Sequence, residues 1–160
     1  MKKLYALVLA GLVGLMTWTA PALAGAQSIK QKVVYHVNQN DPKLHAAALR
    51  NIQNHINAVG AENLDLRVVM HGDGLGLVLL PEAVGKGPKF NSGSADMQMQ
   101  ATIDGLKNQG VSFKICANTL KGKAVKPDEH LYNVDASDIV TSGVAELAVL
   151  QGQGYAYVKP

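Results

Sequence analysis

The chain has 160 residues, of which 48% are hydrophobic and 17% charged, with a formal net charge of +3. That length and apolar fraction suit one globular domain with its own core and exclude a low-complexity, solvating chain. The charge is small and forms no basic stripe with interleaved aromatics, which argues against a nucleic-acid-binding role.

The first residues address the compartment. Met1-Lys2-Lys3 is a short basic start, the stretch from Leu4 to Ala20 is almost wholly apolar, and Ala22-Leu23-Ala24 is an A-x-A-type cleavage site. This is the tripartite plan of a secretory signal peptide over 1–24, which leaves a mature domain over 25–160 destined for the periplasm or secretion. Cleavage takes two lysines and no acid from the formal +3, leaving +1, so the basic balance says little about partners. No later apolar stretch is long enough to span a bilayer, so no stable membrane anchor is expected. The single cysteine, Cys116, excludes an internal disulfide framework.

In chain order, KVVYHVN (32–38) reads as a strand buried on both faces, as in a parallel sheet. Asp41 can cap a helix, Pro42 suits its first turn, and Leu49, Ile52, Ile56 and Val59 recur at helical spacing up to Gly60. LDLRVVMH (64–71) alternates as a second strand. A glycine-rich turn and a short apolar run to Leu80 follow. Pro81 to Gly93 reads as a mobile loop. Ser94 is placed to cap a helix running to about Asn108, with Met99, Ile103 and Leu106 inward and Gly110 past its end.

The third strand is Val111 to Cys116, followed by a helical turn over Ala117 to Lys121 and a short helix over Pro127 to Leu131. Ile139 to Thr141 is a brief strand, Ser142 caps a helix reaching about Gln151, and YAYVK (155–159) is the last strand. Strand and helix alternate throughout, which predicts a single α/β domain with a mostly parallel sheet. In such sheets the usual site is the crevice beyond the carboxyl ends of the strands. His36 and Asn38, His71, and Cys116 with Asn118 all fall at strand ends, on one predicted edge.

Residue type alone leaves Cys116 as a buried, inert thiol. Position points the other way. In VSFKIC, Val111, Phe113 and Ile115 share one face while Ser112, Lys114 and Cys116 share the other. A helical turn starting at Ala117 would bring free backbone N–H groups to the sulfur, and Lys114, Lys121 and Lys123 would add positive potential. Such surroundings favour the thiolate. HGDGLG (71–76) does not fit a dinucleotide loop: glycines at 72 and 74 require one at 77, which is Leu77. The five histidines show no compact metal-ligand spacing. His36, His71 and Cys116 could converge as an N, N, S set. The alternative is histidines that hydrogen-bond loop backbone near a pocket.

The chain resembles the DsrE/DsrF-like family, in the branch that carries a signal peptide. The carriers are KVVYHVN (32–38), LRVVMHGDGL (66–75), GVSFKICANTL (110–120) and VTSGVAELAVLQGQGYAYVKP (140–160), the last two being the most specific. The resemblance implies a three-layer α/β/α sandwich around a five-stranded parallel sheet, assembled as a homo-oligomer (trimer or hexamer). It also implies that Cys116, at the end of the third strand, accepts sulfane sulfur as a persulfide, with no cofactor. Its partners would be sulfur donor and acceptor proteins or small sulfur compounds. The chain departs from the cytoplasmic relay members after Cys116, where Ala-Asn-Thr-Leu replaces their arginine-containing segment, so relay to transfer RNA is not expected.

On this reading Cys116 is the nucleophile. His36 or His71 orients or protonates the sulfur, and Asn38, Asn118 and Thr119 line the pocket. The competing expectation is a module that binds a small ligand or soft metal without catalysis. A structural oligomer with a silent Cys116 is a third.

Overall fold

The computed structural model describes residues 30–160; the expected signal peptide lies outside the described residues. Strand β1 (Gln31–Val37) places Val33, Tyr35 and Val37 on one face and Val34 and His36 on the other, all buried. The Asp41 carboxylate accepts hydrogen bonds from the N–H groups of Lys43 and Leu44, so helix α1 (Pro42–Val59) begins where its cap and its proline require. Next come β2 (Leu64–Met70), α2 (Met97–Asn108), β3 (Ser112–Cys116) and α3 (Ala117–Gly122). The chain closes with α4 (Pro127–His130), β4 (Ile139–Val140), α5 (Gly143–Gly152) and β5 (Ala156–Val158). Every strand pairing is parallel, and the sheet order is β4-β3-β2-β1-β5. The predicted three-layer sandwich is the observed fold.

Two local expectations change. Helix α2 is capped by Asp96, whose side chain accepts the Met99 N–H at 2.8 Å. Ser94 is drawn away instead. The His45 Nε2–H donates to the Gln39 carbonyl at 2.6 Å, so the Ser94 hydroxyl donates to Nδ1 at 2.8 Å. The segment from Pro81 to Gly93 carries a short 3-10 turn over Pro81–Ala83 and buries Ala83 and Phe90. Its Lys89 N–H also bonds the Lys123 carbonyl at 2.8 Å.

The register of the sheet divides its side chains cleanly. One face carries Val33, Tyr35, Leu66, Val68, Met70, Phe113 and Ile115 against Leu49, Ile52 and Ile56 of α1 and Ile103 and Leu106 of α2. On the opposite face Val34 and Val69 meet Leu147 and Leu150 of α5 together with Tyr155. After β2 the chain makes a 3-10 turn over Gly72–Leu77. A β-carbon at Gly74 would overlap the Val37 carbonyl, so only glycine lets this turn close onto the end of β1.

Candidate functional site

The α5 face ends in a row of polar side chains. His36 pairs in register with Val69, two residues before His71, and Val69 pairs with Lys114, two residues before Cys116. Tyr157 of β5 pairs with Val34, two residues before His36. Side chains two apart on a strand share a face. Cys116, His71, His36 and Tyr157 therefore stand side by side across four adjacent strands.

Cys116 ends β3, caps the start of α3 and is 5% exposed. Burial by itself raises its thiol pKa. The nearby Thr119 hydroxyl and the backbone N–H groups of Gly143, Thr119 and Asn118 favour the thiolate and outweigh burial, so the pKa lies below its ordinary value. The Thr119 oxygen also accepts the Gly72 N–H at 2.8 Å, which leaves its own proton for the sulfur. Gly143, at the start of α5, fits closely: a β-carbon there would come within 2.9 Å of His71 Cβ and 3.3 Å of Cys116 Cβ. Any side chain would push the helix off the thiol.

The two histidines meet each other. His36 Nε2 and His71 Nε2 are 2.7 Å apart, and His36 Nδ1 lies 2.6 Å from the Tyr157 hydroxyl. Burial, then the charges of His71 and Lys159, lower the His36 pKa to about 4. Burial and Lys159 also lower that of His71. Both shifts favour the neutral rings, and two neutral imidazoles can share one Nε2–H.

The predicted site residues therefore separate. Cys116, Thr119 and the backbone of Asn118 form one constellation, and His71 lies beside it across Gly143. His36 is one strand farther, joined through His71. The Asn118 side chain is exposed, and only its N–H serves the sulfur. Asn38 is not in the constellation: its carbonyl oxygen accepts from Lys159, and it lines a small pocket with His36, Leu44 and His45. Two of the three expected lysines are occupied elsewhere, Lys114 on the Ser137 carbonyl at 3.0 Å and Lys123 on Asp73.

Sequence reasoning missed Gly143 and Tyr157. Ser142-Gly143 was legible as a helix start and Tyr157 as a strand residue, but where either pointed depended on the sheet order. The remaining histidines are structural. His45 bonds Ser94 and Gln39, His55 meets the Tyr35 hydroxyl at 3.0 Å, and His130 Nδ1 accepts the Lys126 N–H at 3.0 Å. Among the described residues no group of three His, Cys, Asp or Glu is arranged to hold a metal ion.

The architecture defines a parallel α/β/α domain with a buried, polarised thiol at the carboxyl edge of its sheet. The chain belongs to the DsrE/DsrF-like family, whose profile matches residues 32–160. Among solved structures it is similar to a protein of unknown function, MTH1491, from Methanobacterium thermoautotrophicum, with 24% identity and a TM-score of 0.63. That likeness covers 82% of this chain and 100% of the other. The ychN protein from E. coli is similar at 19% identity and a TM-score of 0.56, over 81% of this chain and 99% of the other. At these identities the two structures speak for the fold. No curated protein matches the chain.

Proposed function

We propose that this protein is a sulfane-sulfur carrier of the sulfurtransferase type, working through a persulfide on Cys116. The observation that carries the reading is the placement of Cys116, buried where β3 gives way to α3 and close against Gly143 of α5, among groups that lower its pKa: the Thr119 hydroxyl and the N–H groups of Gly143, Thr119 and Asn118. They stabilise a thiolate, which is the attacking form, and can equally hold the terminal anion of a persulfide. The absence of a second cysteine in the chain fits, because an internal resolving thiol would divert the persulfide into a disulfide. Family membership supports a sulfur-handling role over other uses of a polarised thiol.

Donor and acceptor are sulfur-bearing proteins or small sulfur compounds, met in the periplasm or outside the cell. A homo-oligomer of three or six copies belongs to the same reading. In its favour, α5 leaves Val144 63% and Val149 51% exposed. The soft-metal module has less support. Lys159 sits close enough to depress both histidines, which opposes a cation there.

The deciding experiment is mass spectrometry of the native protein after incubation with polysulfide. A mass gain of one sulfur atom, located on Cys116 and absent from Cys116→Ala, is expected. Cys116 that stays unmodified, or that reacts with alkylating agents only after denaturation, would rule out the carrier.

A further inference from the structure

We propose that Lys86, Lys89 and Lys121 are the contact residues of a docking surface near Cys116, and that the partner it fits is a protein with an acidic face. This rests on the carrier reading for the partner's role, as sulfur donor or acceptor. It adds the surface used and the chemistry that recognises it.

Charge is unevenly spread along the chain. Two stretches, 83–95 and 105–127, hold seven lysines and no acidic residue. The rest of the described domain holds six basic and twelve acidic residues. The fold brings the two stretches together. The Lys89 N–H bonds the Lys123 carbonyl at 2.8 Å, and the Lys123 ammonium lies 5.1 Å from the centre of the Phe90 ring. Four of the seven lysines are engaged: Lys107 with Asp138, Lys114 with the Ser137 carbonyl, Lys123 with Asp73 and Lys126 with Glu129. Lys86, Lys89 and Lys121 are exposed, and their ammonium groups have no hydrogen-bond or ion-pair partner among the described residues. Their charge is left uncompensated on a domain that is otherwise acidic.

The lysines lie within a partner's reach of the thiol. Helix α3 begins at Cys116, and Lys121 is five residues on, roughly 8 Å along the helix axis. The Gly72 N–H holds the Thr119 hydroxyl, and the next residue, Asp73, holds Lys123. A standard protein partner covers about 800 Å² on each side, a footprint roughly 30 Å across. A partner centred over Cys116 therefore rests on these lysines as well. A carrier hands over its cargo on contact and must then let go. Exposed charge suits that, because it speeds encounter while each solvated ion pair adds little affinity. The surroundings select a protein over other polyanions. Phe90 is buried, so the patch offers no aromatic face on which a base could stack. None of the large exposed hydrophobic residues falls in either stretch, so nothing there would enter a lipid layer.

The test uses a fluorescein-labelled peptide of ten glutamates, with binding read by fluorescence anisotropy at low salt. The native protein is compared with a variant carrying Lys86→Glu, Lys89→Glu and Lys121→Glu together. A control of equal charge change carries Lys30→Glu, Lys43→Glu and Arg50→Glu. All six side chains are exposed and unpaired among the described residues, so both variants should fold. The same three patch lysines changed to Gln give a gentler variant. The expected result is binding weakened at least about tenfold by the patch reversal, about threefold by the Gln variant and less than about twofold by the control. Equal weakening in patch and control variants overturns the surface, because net charge alone would then explain the binding. A native protein that does not bind the peptide overturns it too. Tighter binding of a labelled ten-nucleotide single strand, lost in the patch variant, overturns it in favour of a nucleic-acid site. Failure of Cys116 to take up sulfur would end the carrier reading and leave peptide binding unchanged, so the two failures are told apart.

Discussion

The two faces of the sheet are built for different ends. Against α1 and α2 lies a broad aliphatic and aromatic core, with Leu49, Ile52, Ile103, Leu106 and Ile115 wholly out of solvent. Against α5 the core is small, Val34, Val69, Leu147, Leu150 and Tyr155, and the rest of that face is polar. At one end Asp65 accepts from the Tyr155 hydroxyl at 2.6 Å and pairs with Arg67 at 3.0 Å. At the other end stand Tyr157, His36, His71 and Cys116. The lesson is a division of labour. A deep core on one side lets the other spend its positions on groups that are poor packers and good chemists.

The most severe way to break that contrast is from the deep side. Phe113→Ala should destabilise by about 3–5 kcal/mol, while Leu147→Ala on the shallow side should cost nearer 2 kcal/mol. Urea melts of the two variants measure the difference, and equal losses would show that the faces share the load.

Gly143→Ala should follow, at about 1–3 kcal/mol, because the new methyl meets His71 and Cys116. It should also raise the pH midpoint of Cys116 alkylation, since the Gly143 N–H is drawn off the sulfur. Gly152, at the far end of the same helix, has open space around it, so Gly152→Ala should stay within about 0.5 kcal/mol with the midpoint unmoved.

Acid should act through the shallow face. The His36 pKa is about 4 in the fold against an ordinary 6.5, so the unfolded chain takes up that proton first as pH falls. The associated stability is present above pH 6.5 and is lost as pH drops toward 4. Thermal melts should show Tm at pH 4.5 falling by roughly 5 °C more in the native protein than in His36→Asn. The smallest effect belongs to the deep side's periphery: Asp41→Ala removes the α1 cap and should cost about 1 kcal/mol by the same melts, without altering Cys116 reactivity.

Most of the architecture was legible because periodicity and caps are local. Asp41-Pro42 starts α1, Ser142 starts α5, and Ile139-Val140 forms a strand, all as their neighbours in sequence imply. Ser94 was misread for the same local reason. It is as good a cap as Asp96, and only the approach of His45, distant in sequence, draws it away.

By itself, then, the sequence determined the order of elements, the parallel α/β class and the strand end on which Cys116 sits. Tertiary structure decided what surrounds the sulfur. Alternation says which face a side chain takes but not which strand lies beside it. The order β4-β3-β2-β1-β5 brought Tyr157 to His36, His36 to His71, and the α5 terminus onto the thiol. Activation that local reasoning assigned to nearby lysines comes instead from Gly143 and Thr119. Hydrogen bonds act at contact distance, and contact across a parallel sheet is set by long crossovers that leave no mark on neighbouring residues.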